Sequence, residues 1–102
     1  MRFDWDDNKA KSNIKNHDDI TFDDAIKVFN DIWAIDDYDI EHSDIEEQRF
    51  AIVGLAAEVL LYVIFTIRKD DDGNEVIRII SVRKAAGKEK KGYEEARNRY
   101  DI

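Results

Sequence analysis

The apolar stretch "VIRIISVRKA", residues 76–85, carries three cations and one hydroxyl: Arg78, Arg83 and Lys84, with Ser81 between the arginines. A guanidinium presents a planar fork of donors that matches two oxygens of a phosphate. A strand built from isoleucine and valine would hold such forks rigidly. The chemistry on offer is therefore recognition or activation of an anion. Arg68, which closes "YVIFTIR", and Arg49, which opens "RFAIVGL", extend the set. Solvation or pairing with a nearby aspartate is the plainer reading of Arg49 and Arg68, since surface ion pairs are common and weak. It does not suit Arg78, because an unpaired guanidinium on an otherwise apolar face is costly and must find a carboxylate or a cleft.

Proton transfer is less well supplied. His17 is the residue suited to titrate near neutrality, although its place at the end of a helical pattern also suits a capping role beside the helix dipole. His42 lies in an acidic loop and reads as background. The two histidines lack the close spacing of metal ligands, the aspartate run 70–72 lacks calcium-loop periodicity, and there is no cysteine. Neither a metal site nor a cofactor is expected.

Length and charge bound what these residues can do. With 102 residues the chain is expected to form one domain, 1–102, with a single modest core. The hydrophobic share of 43% and the 11% aromatic content exclude a disordered polyelectrolyte, despite 39% charged residues. No apolar N-terminal leader is evident, and the longest apolar run, "VLLYVIF", is too short to span a bilayer, so a soluble cytoplasmic protein without membrane contact is expected. The net charge of −8 is unevenly spread: residues 1–48 carry 15 acidic and 5 basic side chains, residues 49–102 carry 9 and 11. Within 76–100 there are 8 basic against 3 acidic residues, so a local basic field survives in an acidic protein.

The elements that must position these residues follow from periodicity. "MRFDW" alternates as a short strand, and Asp6 or Asp7 can cap a helix over 8–17. Thr21 with Asp24 approximates a capping box ahead of the stripe Phe22, Ala25, Ile26 and Phe29. A short strand is predicted at 32–35, then three strands at 49–55, 59–68 and 75–83, rich in β-branched and aromatic residues. Ala56, Ala57 and Glu58 join the first pair tightly; Asp72, Gly73 and Asn74 turn the second. A helix over 85–100 closes the chain, weakened by Gly87 and Gly92. The order β-α-α-β-β-β-β-α predicts a small α+β domain, an antiparallel β-meander with two N-terminal helices and one C-terminal helix. Strict alternation along the last strand puts Ile77, Ile79, Ser81 and Arg83 on one face, and Val76, Arg78, Ile80 and Val82 on the other. Arg78 and Arg83 are thus expected to diverge.

These pieces carry a resemblance. "FDWDDNKAKSNIKNHDDITFDDAIKVFND", the Glu47–Arg49 pair with Gly54, "YVIFTIR", and "RIISVRKA" followed by Glu89 and Tyr93 resemble, in order and over nearly the whole chain, the BrnT family of toxins from type II toxin–antitoxin modules. The resemblance implies a RelE-like ribonuclease fold and toxicity through RNA cleavage. It also implies neutralisation by a cognate, BrnA-like ribbon-helix-helix antitoxin, through which alone operator DNA is contacted. The polar positions that match are Lys9, His17, Glu47, Arg49, Thr66, Arg68, Arg78, Ser81, Arg83, Lys84, Glu89 and Tyr93. Three departures stand out: Asp18 and the Ala57 turn where glycine is usual, and Lys90 where arginine is common.

Cleavage of RNA without metal needs a base, an acid and cations for the charge that develops on phosphorus. Arg68, Arg78 and Arg83 are expected to supply the cations; for proton transfer the catalytic candidates are His17 and Glu89, with Glu47 and Tyr93 as alternatives that, like Glu89, would need environment-shifted pKa values. Lys9, Arg49, Ser81, Lys84 and Tyr93 are expected to bind RNA. A catalytically weak homologue acting as an antitoxin-bound co-repressor or interaction module is the competing reading, supported by the acidic N-terminal half. Direct DNA binding is disfavoured, because no helix gathers clustered basic residues.

Overall fold

The computed structural model describes residues 1–38 and 47–100. The elements are β1 (Arg2–Trp5), α1 (Asp7–Asn16), α2 (Phe22–Val28), β2 (Ile35–Tyr38), β3 (Phe50–Ala56), β4 (Val59–Lys69), β5 (Glu75–Lys84) and α3 (Gly87–Tyr100). The predicted α+β order is the observed one. One boundary differs: β2 begins where the predicted strand 32–35 was to end. Asp31 accepts a hydrogen bond from the Trp33 backbone at 2.9 Å, and Ala34 N–H donates to the Asp31 carbonyl. Those residues are spent on a turn, and pairing with β3 starts only at Ile35.

The strands form one sheet in the order β1-β5-β4-β3-β2. The four later strands are antiparallel neighbours, whereas β1 lies parallel to β5 with Asp4 opposite Arg78. Alternation sends Phe3 and Trp5 of β1 into the main core, where Phe3 meets Phe29 and Trp5 meets Phe22 edge-on, with centroids 5.1 and 5.9 Å apart. Such contacts add about 0.5–1.5 kcal/mol each beyond the area they bury. The same core takes Phe22, Ala25 and Val28 of α2, Leu61, Val63 and Phe65 of β4, and Ile79 and Val82 of β5. Helix α2 is set by the predicted capping box: Asp24 N–H donates to the Thr21 hydroxyl and Thr21 N–H to the Asp24 carboxylate.

The opposite face of the sheet is only partly roofed. There α3 buries Tyr93 against Val53 and Ala85, with Trp33, Ile35, Leu55, Leu60 and Tyr62 around them. The rest of that face holds Thr66, Arg68, Arg78, Ser81 and Arg83 among the apolar Ala51, Ile64 and Val76.

Among the described residues three non-glycine residues adopt positive φ: Asp18 at 52°, Asp19 at 62° and Ala57 at 56°. Two of them are positions where the resemblance led us to expect glycine. Ala57 is exposed at the tip of the β3–β4 turn, with no side-chain oxygen to compensate the left-handed backbone. Ala57→Gly is expected to stabilise the protein by about 0.5–1 kcal/mol and raise the melting midpoint by a few degrees, the relief of strain exceeding the gain in unfolded-state freedom. A thermal melt showing an unchanged or lower midpoint would refute the strained turn.

Candidate active site on the open face of the sheet

A β-bulge decides which side chains meet. Between β4 and β5 the pairs run Phe65↔Ile79, Thr66↔Arg78 and Arg68↔Val76 on one side of the irregularity, and Ile64↔Ser81, Val63↔Val82 and Tyr62↔Arg83 on the other. Ile80 is the extra residue. One added residue reverses the alternation. Ile77, Ile79 and Val82 therefore share the core face, while Arg78, Ser81 and Arg83 share the open one. The expected divergence of the two arginines is thus corrected. The bulge lies where the outer neighbour of β5 changes: β1 pairs with it only as far as Trp5↔Ile79, and beyond that α1 takes over. Buried Asn13 of α1 makes the junction, accepting from the Val82 backbone at 2.9 Å and donating to the Ile20 carbonyl at 3.0 Å.

Each of the three arginines carries a carboxylate. Arg78 Nη1 donates to Asp4 Oδ1 at 3.2 Å. Arg68 lies 3.6 Å from Glu47. Arg83 engages Glu89 through both terminal nitrogens, at 2.8 Å each, and its guanidinium stacks 4.2 Å over the Tyr62 ring. Glu89 sits in the first turn of α3 and also accepts from Ala86 N–H at 2.7 Å, so one carboxylate caps the helix and clamps the arginine. The hydrogen bond from Arg83 is the main reason that the Glu89 carboxyl is held below its ordinary range, against the opposing effect of burial. Thr66, buried on the same face, donates to the Gln48 carbonyl at 2.7 Å, so the segment leading into β3 lies across this part of the sheet.

The remaining predicted residues divide. Lys9 and His17 line a shallow groove of about 280 Å³ between α1 and the bulge, together with Ser81 and Ile80. Ser81 thus stands between this groove and the arginine face. Arg49 immediately precedes β3, beside Glu47. Lys84 is not with the arginines: it pairs opposite Leu61 of the main core and lies 3.9 Å from Asp18. Nor is Tyr93, which is 3% exposed with its hydroxyl donating to Asp31 at 2.6 Å. Among the described residues no cluster of three or more histidines and carboxylates is gathered as metal ligands are. His42 lies outside the described residues, and no described helix is long and apolar enough to cross a membrane.

Asp31 went unnoticed in the sequence. Besides Trp33 N–H and the Tyr93 hydroxyl it accepts from Leu55 N–H at 2.8 Å, tying the end of α2, the middle of the sheet and α3 to one carboxylate. Burial is the largest single influence on its pKa and acts upward, but the hydrogen bonds from Tyr93, Leu55 and Trp33 prevail, and the net shift is downward. Burial, and then the bond to Asp31, push the Tyr93 hydroxyl up to about 12. The signs give two pH windows. The lowered Asp31 and Glu89 carboxyls contribute stability above the unfolded carboxylate range that is lost as pH falls through their folded values. The raised Tyr93 contributes stability below pH ~10 that is lost towards about 12. Urea midpoints are expected to fall on both flanks, with Tyr93→Phe flattening the alkaline one and, by removing one of the bonds that lower Asp31, softening the acid one. An alkaline flank unchanged by Tyr93→Phe would refute the coupling.

Over residues 5–89 the chain matches the family model described as "Ribonuclease toxin, BrnT, of type II toxin-antitoxin system". A search of curated proteins finds no match. The matched span runs from Trp5 of β1 to Glu89 of α3 and so includes the bulge and the arginine face. The chain belongs to the BrnT family of ribonuclease toxins of type II toxin–antitoxin systems, whose members act with a cognate antitoxin.

Proposed function

We propose that this protein cleaves RNA in the cytoplasm without a metal ion, on the open face of the sheet, and that a ribbon-helix-helix antitoxin neutralises it and brings it to operator DNA. The observation that carries this reading is the bulge at Ile80, which sets Arg78, Ser81 and Arg83 in a row along one face of β5, with Arg68 diagonal to Arg78 on β4. A phosphate resting there meets preorganised guanidinium donors, which stabilise the extra negative charge of a five-coordinate phosphorus more than that of the starting diester. Arg68 extends the positive face along β4, and Lys9 and Arg49 stand at its borders to hold neighbouring phosphates.

Proton transfer falls to His17 and Glu89. His17 reaches the scene from the α1 groove through Ser81 and is suited to protonate the leaving oxygen. Glu89 is held as a carboxylate and cannot donate a proton near neutrality, so its part is to accept one or to hold Arg83 in place. Electrostatic stabilisation is the larger contribution.

The test is induced expression without antitoxin, read by growth and by the integrity of cellular RNA. Growth arrest with RNA loss supports the enzyme. Normal growth with a folded, soluble product would overturn it and leave an antitoxin-bound interaction module as the reading.

A further inference from the structure

The three ion pairs of the open face are not equivalent. Glu89 occupies both terminal nitrogens of Arg83, and Arg83 Nη1 also donates to the Lys84 carbonyl at 3.1 Å. Arg78 instead makes a single bond, from Nη1 to Asp4. Its Nε and Nη2 have no protein acceptor among the described residues. Asp4 is also anchored through its backbone. It stands between Phe3 and Trp5, both packed into the main core, and the parallel ladder fixes it opposite Arg78. The side chain of Arg78 is only 26% exposed, so little freedom remains once Nη1 is held.

We propose that Asp4 is the positioning residue of Arg78: its carboxylate holds Nη1 and so turns the Nε–Nη2 edge of the guanidinium towards the substrate phosphate. This rests on the ribonuclease reading and assigns Arg78, rather than Arg83, as the principal phosphate ligand. Asp4 acts through Arg78 and takes no proton. A guanidinium free to swing about its long side chain would meet the phosphate in the right plane only part of the time, and small misplacements of a charge-stabilising group are costly in rate.

The experiment is a double-mutant cycle on the purified chain with a short RNA substrate, scored by kcat and KM, with the side-chain nitrogen signals of arginine followed by NMR without RNA. Asp4→Ala is expected to lower kcat by roughly ten- to a hundredfold, with a smaller change in KM. Asp4→Asn keeps an oxygen that accepts from Nη1 and should recover most of the rate. In the Arg78→Ala background, Asp4→Ala should change the residual rate by less than about twofold, because the two residues act as one unit. The Arg78 Nη signals, slowed in the wild type, should show free rotation in Asp4→Ala. Losses that simply add in the double mutant would overturn the proposal. So would Asp4→Asn as impaired as Asp4→Ala together with loss of the acidic limb of the pH–rate profile, since that is the signature of a base. Should the wild-type chain cleave no RNA, the ribonuclease reading fails by itself. The Nη signals then still decide the clamp, and identical signals in wild type and Asp4→Ala would end it.

Discussion

Replacing Arg78 with alanine is expected to lower RNA cleavage by about 10²–10³-fold while leaving the fold intact, the loss usually seen when one preorganised donor is removed from a developing oxyanion. The substitution is tolerable structurally because the freed partner, Asp4, is half-exposed and can be solvated. Arg83→Ala should lower cleavage less than Arg78→Ala, because Glu89 already occupies its terminal nitrogens, and with a structural consequence. It strips Glu89, a partly buried carboxylate, of both its guanidinium bonds and leaves it only Ala86 N–H. The more informative change at that position is Arg83→Lys. An ammonium keeps the charge but replaces a planar two-point contact by a point charge, and the stacking over Tyr62 is reduced. We expect Arg83→Lys to recover only a small part of the activity, and Arg78→Lys likewise. Melting temperatures within a few degrees of wild type would separate chemistry from folding. Both alanine variants cleaving RNA at the wild-type rate while stably folded would sink the electrostatic mechanism.

Much of the scaffold was legible from local pattern. The capping box at Thr21 and Asp24, the turn at Gly73 and the apolar alternation of β3 and β4 are signals confined to a few residues, and each produced the expected element. The hairpin pattern by itself sets Arg68 around Val76 to Arg78 and Lys84 towards the Ala57 end, and the observed partner of Arg68 is Val76. The active face was not legible in the same way. Counting back from the Asp70–Asn74 turn, where Lys69 faces Glu75, would put Tyr62 opposite Val82; the bulge makes that partner Arg83 instead. Its cause is tertiary, since it falls where α1 replaces β1 at the edge of β5, and no residue of "RIISVR" announces it. Asp4 escaped notice for a similar reason. Its partner lies 74 residues away across a parallel pairing, for which the sequence holds no turn signal. Asp31 carried a weak local sign, an aspartate two residues before a tryptophan at the end of a helix, in keeping with an Asx-type turn. Its two distant donors, Leu55 and Tyr93, could not be read there.

Asp31 carries the largest expected effect on stability. Asp31→Ala removes the acceptor for Leu55 N–H, Trp33 N–H and the Tyr93 hydroxyl at once. Leaving partly buried donors unsatisfied costs about 1–3 kcal/mol each, so a loss of roughly 3–5 kcal/mol is expected, a large share of the ~5–15 kcal/mol of a small domain. Tyr93→Phe deletes one donor together with its bond and should cost only about 1–2 kcal/mol. Gly54→Ala attacks the same point from the sheet. An added Cβ would lie 2.9 Å from Val28 Cγ1, 3.0 Å from Ala34 Cβ and 3.3 Å from Asp31 Oδ2. Val28 is fully buried and cannot withdraw, so overpacking of about 1–3 kcal/mol should follow, with Asp31 displaced from its donors. Urea unfolding at neutral pH measures all three; an Asp31→Ala cost below about 1 kcal/mol at an unchanged slope would mean that water replaces the lost acceptor and that the junction is not structural. The consequence reaches the active face. Tyr93 is the anchor of α3, and the first turn of α3 carries Glu89, which fixes the plane of Arg83. Asp31→Ala should therefore lower RNA cleavage even at temperatures where the chain remains folded, whereas Gly54→Ala in that background should still cost its clash with Val28 and Ala34 and lose only the part that acts through Asp31.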